Sequence, residues 1–238
     1  MIEETLNNMP AHLAIIPDGN RRWAKARGLE PWDGHEAGAK NTEKIIRYAL
    51  KKGVQCLTIW GSSIDNLKKR PIAEKKALLA VYKKYFERLL NGTDIDENEA
   101  KINFIGRWEE QFPDSLKIII YALIEKSKNY KKKMLNFMLA YNGDDDMLMA
   151  ISKIQNKYDK NVEITANILK ENLMTAELPA VDYVVRTGGD AHLSAGFMMW
   201  DTANAQLYFS AETYPDFNEE KLGTALVEYA SRQRRFGK

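Results

Sequence analysis

The chain has 238 residues, and its 35 basic and 33 acidic side chains give a formal net charge of +2. A balance this close to zero provides no global positive field, so we expect no nucleic-acid partner. The single cysteine excludes an intrachain disulfide and a multi-cysteine zinc site. No apolar run reaches membrane-spanning length, and MIEETLNNMP lacks the charged-then-apolar order of a signal peptide. We expect a cytoplasmic protein whose amphipathic helices leave peripheral membrane contact open.

Short apolar segments alternate with longer segments of helical periodicity. The apolar segments predict strands at 13–16, 54–60, 102–105, 135–141, 183–185 and 207–209. The periodic segments predict helices at 20–27, 37–52, 72–91, 114–130, 144–158, 165–172 and 219–236. This alternation favours one α/β domain over residues 1–238, with a mostly parallel six-stranded central sheet flanked by helices. Because ligands of such sheets bind beyond the carboxyl ends of the strands, we expect the chemistry just after each strand.

The first predicted strand is followed by a polar cluster, PDGNRRW, at residues 17–23. Gly19 permits a tight turn, and Asp18 supplies the hard oxygen that suits Mg²⁺. Arg21 and Arg22 add charge-assisted donors for phosphate oxygens. The alternative is that Asp18 caps the next helix while the arginines are solvated. Spacing alone leaves a diphosphate–magnesium site and a capped helix equally open.

The second predicted strand is followed by GSSIDN at 61–66 and by KKRP at 68–71. Small polar groups such as Ser63 and Asn66, with the cation Arg70 nearby, would orient a polar substrate group. The same residues also fit an ordinary turn before a helix opened by proline. This cluster is therefore a weak signal by itself.

The fifth predicted strand is followed by RTGGDAHLS at 186–194. Glycines and hydroxyls beside Arg186 suit an anion. His192 either donates to that anion or is an ordinary surface histidine. Three such clusters at one sheet edge support anion binding more strongly than any one of them.

Other chemistries lack support in the sequence. No nucleotide-binding glycine motif and no G-x-S-x-G elbow occur, and the three histidines lack metal-ligand spacing. The acids at 144–146 follow Gly143 at a predicted helix start, where they complement the helix dipole. They also lack the fifth-position aspartate of a DDxxD diphosphate motif.

In this order, the clusters resemble those of the cis-prenyltransferases, the undecaprenyl diphosphate synthase family. The matching stretches are HLAIIPDGNRRWAKARG at 12–28, GHEAG at 34–38, SSIDNLKKRP at 62–71, VDYVVRTGGDAHLS at 181–194, FMMWDTANAQLYF at 197–209, YPDF at 214–217 and RQRRFG at 232–237. The resemblance implies a parallel-sheet α/β fold with a hydrophobic tunnel, usually as a homodimer. It also implies Mg²⁺-dependent elongation of an allylic prenyl diphosphate with isopentenyl diphosphate, which forms a Z double bond.

The resemblance also implies roles for individual residues. Asp18 would bind Mg²⁺ and help the allylic diphosphate leave, and Trp23 would lie beside the site. The allylic diphosphate would be cradled by Gly19, Asn20, Arg21, Arg22 and His35.

The remaining roles concern the second substrate and the chain's C-terminal segment. Ser63 and Asn66 would assist orientation or proton removal. Arg186 and Ser194 would hold the diphosphate of isopentenyl diphosphate. Residues 235–237 resemble the segment that reaches into the partner subunit's site.

The sequence departs from the family pattern at several site positions. The departures are Pro31, His192 and Asp144 in place of arginine, Asp65 and Gln206 in place of glutamate, and Leu67 in place of an aromatic residue. Gln206 would be the second Mg²⁺ ligand, and its neutral oxygen binds Mg²⁺ less strongly than a carboxylate. His192 can hydrogen-bond a phosphate but is a weaker cation than arginine at neutral pH.

Three hypotheses follow from this mixture. The first is ordinary Z-type chain elongation with a relaxed second site, which we favour. The second is an atypical member that joins two allylic diphosphates in a branched condensation, or ionises and cyclises one as a terpene synthase does. The third is a non-catalytic subunit that supports an active partner.

Overall fold

The structure is a computed structural model that describes residues 8–159 and 161–232. The strands are β1 (His12–Ile16), β2 (Cys56–Trp60), β3 (Ala100–Ile105), β4 (Lys133–Met138), β5 (Tyr183–Arg186) and β6 (Gln206–Phe209). The helices are α1 (Asn20–Lys25), α2 (Pro31–Lys51), α3 (Ile64–Lys69), α4 (Ile72–Asn91), α5 (Asp94–Asn98), α6 (Trp108–Gln111), α7 (Asp114–Ser127), α8 (Gly143–Lys157), α9 (Ala166–Asn172) and α10 (Glu219–Ser231), with a 3₁₀ turn at Tyr214–Asp216. None of the described helices is long and apolar enough to cross a membrane.

The six strands form one parallel sheet in the order β3-β4-β2-β1-β5-β6. Central β1 pairs with β2 and β5, and its register places Ile16 opposite Arg186. The carboxyl ends of β1 and β5 therefore lie side by side, and the segments that follow them meet at one edge. This is the edge at which open α/β sheets bind ligands.

Both faces of the sheet are covered by apolar side chains. Alternate residues of a strand point to opposite faces, so one strand contributes to two cores. Leu13 and Ile15 belong to a core that includes residues of α2, α4, α7 and α10. Ala14 and Ile16 belong to a second core, on the other face, with Phe197. The unbroken apolar run of β1 is thus the signature of a strand buried on both sides.

The predicted fold class is confirmed, and each predicted strand and helix is present. Three short helices, α3, α5 and α6, were not predicted, because four to six residues carry too little periodicity to detect. The predicted helix at 219–236 ends at Ser231, and residues 233–236 lie outside the described residues.

Helix α2 begins six residues before its predicted start at residue 37. Pro31 occupies its first turn, and Glu30 and Asp33 form a reciprocal capping box. Gly34 looks like a helix breaker, but a Cβ there would lie 2.1 Å from the carbonyl oxygen of Asn20 in α1. The glycine lets α1 and α2 approach closely. It also weakens the helical pattern in the sequence, which is why the first turns of α2 were not predicted.

A buried histidine makes the stability of the fold depend on pH. His12 lies in β1, 2.8 Å from the carbonyl oxygen of Pro179 through Nδ1 and 2.7 Å from the Thr58 hydroxyl through Nε2. A carbonyl only accepts, which assigns the neutral tautomer with the proton on Nδ1. Burial lowers the pKa of His12 below 6.5, and burial also lowers the pKa of His35.

We expect the free energy of unfolding to be constant above pH about 6.5 and to fall as the pH drops towards the lowered native pKa values. The unfolded chain binds protons there that the folded chain does not, at up to about 1.4 kcal/mol per pH unit for each histidine. Urea unfolding between pH 7.5 and 5 measures the slope. His12→Gln should reduce that slope, and an unchanged slope would contradict the assignment.

Candidate active site

At the carboxyl edge of the sheet, Asp18 and Arg186 form an ion pair between two adjacent strand ends. Arg186 Nη2 donates to Asp18 Oδ2 at 2.7 Å. The Arg186 side chain is 5% exposed, and its Nε is buried with no hydrogen-bond partner among the described residues. A buried donor without an acceptor is costly, so this site suits a ligand that brings one.

The backbone turn after β1 holds Asp18 in place. Gly19 has a φ of 100°, and a Cβ there would lie 2.9 Å from the Cα of Thr213. Helix α1 begins without a side-chain cap, and Asp18 Oδ1 accepts instead from the Gly19 amide at 2.6 Å. The alternative that Asp18 serves as the cap of α1 is therefore wrong.

Arg22 connects Asp18 to a second carboxylate, Asp190. Arg22 Nη2 lies 3.2 Å from Asp18 Oδ1 and 3.1 Å from Asp190 Oδ2. The Arg22 side chain is half exposed, so its remaining donors stay available to an incoming anion. Two acids and two arginines thus alternate around the end of β1.

A second charged cluster surrounds Glu74, a buried carboxylate in the first turn of α4. Glu74 Oε1 lies 3.0 Å from His35 Nε2, 3.4 Å from Arg70 Nε and 3.6 Å from Arg21 Nε. Because burial lowers the pKa of His35, the ring is neutral at pH 7 and donates a hydrogen bond. Among the described residues, Glu74 is the one carboxylate paired with these two arginines, which leaves the cluster with a positive charge for an anion.

Arg70, like Arg186, has a buried donor atom without a hydrogen-bond acceptor among the described residues. Its side chain is 14% exposed, and its Nη1 is buried without a partner in the described part of the chain. The Oδ1 of Asn20 is likewise buried and unpaired there. Unpaired polar atoms in both clusters point to polar ligand groups at both.

Replacing Glu74 by leucine is expected to lower the free energy of unfolding by about 3 kcal/mol, because it leaves the largely buried Arg70 cation without its carboxylate. Chemical denaturation measures the loss. Glu87→Leu is the matched control on the same helix, since the Glu87 carboxylate is 3.9 Å from Lys83 and half exposed. We expect the control to lose at most about 1 kcal/mol. Equal losses in the two variants would contradict a central role for Glu74.

Ser63 and Asn66 belong to the second cluster, for which the sequence allowed either a substrate-orienting site or an ordinary turn before a helix. Ser63 caps α3, and its Oγ accepts from the Asn66 amide at 3.0 Å. Both residues line the same large cavity as Asp18, as does the exposed Asp65, whose carboxylate is 3.5 Å from Lys69. The stretch is therefore a turn before a helix and also part of the cavity wall.

Ser194 links the third cluster to Arg186. Arg186 Nη1 donates to Ser194 Oγ at 2.8 Å, and that oxygen lies 2.9 Å from His192 Nε2. Arg186 and Ser194 line the cavity, whereas His192 is not among its lining residues. His192 is exposed and one of its ring nitrogens contacts the Ser194 hydroxyl, so its direct donation to an anion stays a prediction.

Trp23 also lies outside the cavity. Its indole N–H donates to Asp216 at 2.8 Å, and the guanidinium of Arg27 covers the ring at 4.3 Å. These contacts tie α1 to the 3₁₀ turn, and the place of Trp23 beside the substrate stays a prediction.

Gln206 is separated from Asp18 within one chain. It begins β6 opposite Tyr183, towards the amino edge of the sheet, and its Oε1 is 3.4 Å from Arg232 Nη1. The doubtful prediction of a metal ligand at Gln206 is not supported inside a single chain. The predicted partner-reaching segment, 235–237, lies outside the described residues.

A cavity of about 1640 Å³ opens at these clusters and continues into the protein. It exceeds the ~300–1,000 Å³ of sites for drug-sized ligands. Its mouth is lined by Asp18, Arg21, Arg22, Arg70 and Arg186. Its body runs between α2, α4 and the sheet and is lined by apolar side chains, among them Leu78, Val81, Phe86, Phe137 and Leu139. The predicted hydrophobic tunnel is confirmed.

Two residues of these clusters were not predicted as site residues. In the sequence, Glu74 is an ordinary acid in the first turn of a helix, and only the fold brings His35 to it. Asp190 lies in the RTGGDAHLS stretch, and an acid directly after two glycines at a strand end could have indicated a site residue. In both cases a partner that defines the cluster, Arg22 for Asp190 and His35 for Glu74, is more than 30 positions away in the chain.

Fold and site together define an α/β protein with a cationic cleft above an apolar tunnel. Residues 16–237 match the family model of undecaprenyl diphosphate synthases. The chain therefore belongs to that family, the cis-prenyltransferases, as the resemblance predicts.

Individual relatives span nearly the whole chain. An isoprenyl transferase of Thermus thermophilus is 33% identical over 97% of this chain and 89% of its own. The farnesyl-diphosphate-specific undecaprenyl diphosphate synthase of Pasteurella multocida is 35% identical over 100% and 98%. Dehydrodolichyl diphosphate synthase 2 of Arabidopsis thaliana is 37% identical over 96% and 74%. A solved structure, lavandulyl diphosphate synthase from Lavandula x intermedia with dimethylallyl diphosphate, has a TM-score of 0.88 at 30% identity, covering 98% of this chain and 100% of that one.

Proposed function

We propose that the chain elongates an allylic prenyl diphosphate with isopentenyl diphosphate and forms Z double bonds. The observation that carries the proposal is the continuity between a mouth lined by arginines and a large apolar cavity. A diphosphate needs charged donors, and a growing hydrocarbon chain needs apolar volume. One continuous cavity supplies both.

In the first step, the C–O bond of the allylic diphosphate breaks and the diphosphate leaves with the electron pair. Arg21 and Arg22 would neutralise the charge that develops on the leaving group, since both line the mouth of the cavity. The apolar lining would shield the allylic cation from water.

In the second step, the double bond of isopentenyl diphosphate attacks the allylic carbon, a C–C bond forms, and a proton passes from the new chain to an oxygen of the released diphosphate. Arg186 and Ser194, joined at 2.8 Å, would hold the second diphosphate. The unpaired Nε of Arg186 supports this role, because it can donate to a phosphate oxygen. Ser63 and Asn66, at the cavity wall, would orient the substrate or assist proton removal.

The proposal includes Mg²⁺, which proteins bind through one or two carboxylates, substrate phosphates and water. Asp18 and Asp190 fit this requirement. Their carboxylates lie close together, since both contact Arg22, and they are accessible to an ion, with 32% and 48% of the side chains exposed. Among the described residues, no group of three or more His, Cys, Asp or Glu side chains could hold a metal alone. The substrate diphosphate would therefore complete the ligands, and the bound ion would offset its negative charge.

Labelled isopentenyl diphosphate tests the proposal with dimethylallyl, geranyl or farnesyl diphosphate as the primer. We expect Mg²⁺-dependent transfer of label to a product soluble in organic solvent, and loss of transfer with a chelator. No elongated product from any primer would reject the proposal. Turnover that Asp18→Ala abolishes would exclude the non-catalytic subunit.

A second candidate is the joining of two allylic diphosphates in a branched condensation. Its support is the similarity to lavandulyl diphosphate synthase, together with Pro31 and His192 at positions where the family usually has arginine. Dimethylallyl diphosphate alone should then give a branched diphosphate of two units. The same assay with longer allylic diphosphates alone tests ionisation and cyclisation.

We also propose a homodimer formed through the β6 edge of the sheet. Trp200, Leu207 and Phe209 are each more than one-third exposed there, and on its outer side β6 pairs with no further strand of the described residues. An exposed edge strand is a surface that proteins usually cover. Sedimentation of the purified chain measures the oligomeric state, and Leu207→Glu should give monomers.

We also propose peripheral membrane contact through exposed apolar residues at the starts of the two long helices, α2 and α4. Leu29, Trp32 and Ile72 are exposed beside the starts of α2 and α4. Co-sedimentation with lipid vesicles tests this part of the proposal, with Ile72→Ser as the variant that should bind less.

A further inference from the structure

The cavity ends at charged residues on the side opposite its mouth. Asp18 and Ser63 line it at the carboxyl edge of the sheet, whereas Ala100, the first residue of β3, lines it at the amino edge. At that far end Arg47 and Asp94 also line the cavity. A tunnel with an apolar body thus has charged groups at both ends.

The far-end charges form a fixed bidentate pair. Arg47 Nε lies 3.0 Å from Asp94 Oδ1, and Arg47 Nη2 lies 2.9 Å from Asp94 Oδ2. Arg47 is in the last part of α2, and Asp94 is the first residue of α5. A second pair, Arg88 to Glu43 at 3.3 Å, joins α4 to α2 on the same side. Ion pairs therefore tie α2 to the opposite wall of the cavity at its far end.

The Arg47–Asp94 pair opposes further filling of the cavity by hydrocarbon. Ile46 and Leu50, which flank Arg47 in the lining, gain from contact with an apolar chain. The pair is partly hydrated, with side chains 57% and 32% exposed. Covering it with hydrocarbon removes that water and supplies no hydrogen bond in return. A unit that contacts apolar lining is therefore stabilised, whereas a unit that covers the pair is not.

We propose that the Arg47–Asp94 ion pair is the end stop that sets the length of the prenyl chain. This specificity role rests on the proposed elongation. A pair that served only to join α2 to α5 would affect stability and leave product length unchanged. The chain offers a matched control in the Lys84–Glu36 pair, which joins α4 to α2 nearer the mouth.

The test compares products of the full chain by mass spectrometry. Arg47→Met with Asp94→Leu removes both charges, and we expect the dominant product to gain at least one isoprene unit with an unchanged rate of first addition. Lys84→Met should keep the wild-type length. Arg47→Asp with Asp94→Arg, which restores a pair, should return the length towards the wild-type value. Where the double apolar variant does not fold, Arg47→Met alone should lengthen the product.

The two proposals fail in different ways. Elongation by the wild type with unchanged product length in folded Arg47 variants overturns the end stop alone. An equal shift in Lys84→Met also overturns it, since the spacing of the walls would then set the length. Absence of elongation by the wild type overturns both proposals.

Discussion

Replacing Asp18 by asparagine is expected to lower kcat for prenyl transfer by about 10³-fold. The carboxylate accepts from Arg186 at 2.7 Å and lies 3.2 Å from Arg22, so it holds both arginines at the mouth of the cavity. With Asp190, it is also a proposed ligand of Mg²⁺. The neutral amide keeps the size of the side chain but loses the charge on which both roles depend. Steady-state kinetics with saturating substrates measure the effect.

Asp190→Asn is the comparison within the same cluster, since it removes the other carboxylate proposed for Mg²⁺ and leaves the Asp18–Arg186 pair in place. Asp190 contacts Arg22 at 3.1 Å but is 3.9 Å from Arg186, so its removal should cost less than the removal of Asp18. Thermal unfolding of both variants separates catalysis from folding. A kcat near the wild-type value in Asp18→Asn would contradict the assigned role.

Replacing Arg186 by methionine is expected to raise KM for isopentenyl diphosphate by about 10–100-fold, the value of one or two charged hydrogen bonds. The change also leaves Asp18 without its closest cation, so kcat should fall as well. KM for the allylic substrate should change less, because Arg21 and Arg22 remain.

Two further variants make this prediction specific. Arg186→Lys keeps the charge but not the planar fork, so it should recover only part of the affinity. Arg107→Met removes an arginine of another bidentate pair, with Asp145 at 2.8 Å, away from the cavity. That control should leave both KM values unchanged. A similar KM rise for both substrates in Arg186→Met would contradict assignment to the second diphosphate.

The sheet could be predicted because each strand carries its own signal. In a parallel sheet with both faces covered, a strand is an apolar run that ends in polar residues, as Leu13 to Ile16 does before Asp18. The early start of α2 escaped prediction because Gly34 serves close packing against α1 and weakens the local helical pattern. The residues of a strand show by themselves that the strand is buried. Close packing between two helices depends on residues of both helices, so the sequence of one helix does not show it.

The first half of the site was predictable for a similar reason. Asp18, Arg21 and Arg22 lie together after one strand and Arg186 follows another, while the resemblance assigned Arg186 and Ser194 to the second diphosphate. The cluster at Glu74 was not, since it depends on three helices meeting. The contacts of Trp23 with Asp216 and of His192 with Ser194 were not predictable either, because position in a motif does not determine where a side chain points.

The most direct test of the account is the product spectrum of the purified chain incubated with Mg²⁺ and an allylic diphosphate, with and without isopentenyl diphosphate. A cationic mouth over a long apolar cavity predicts products that differ by whole isoprene units and form only when isopentenyl diphosphate is present. Products formed equally well from the allylic diphosphate alone, with no incorporation of isopentenyl diphosphate, would contradict chain elongation.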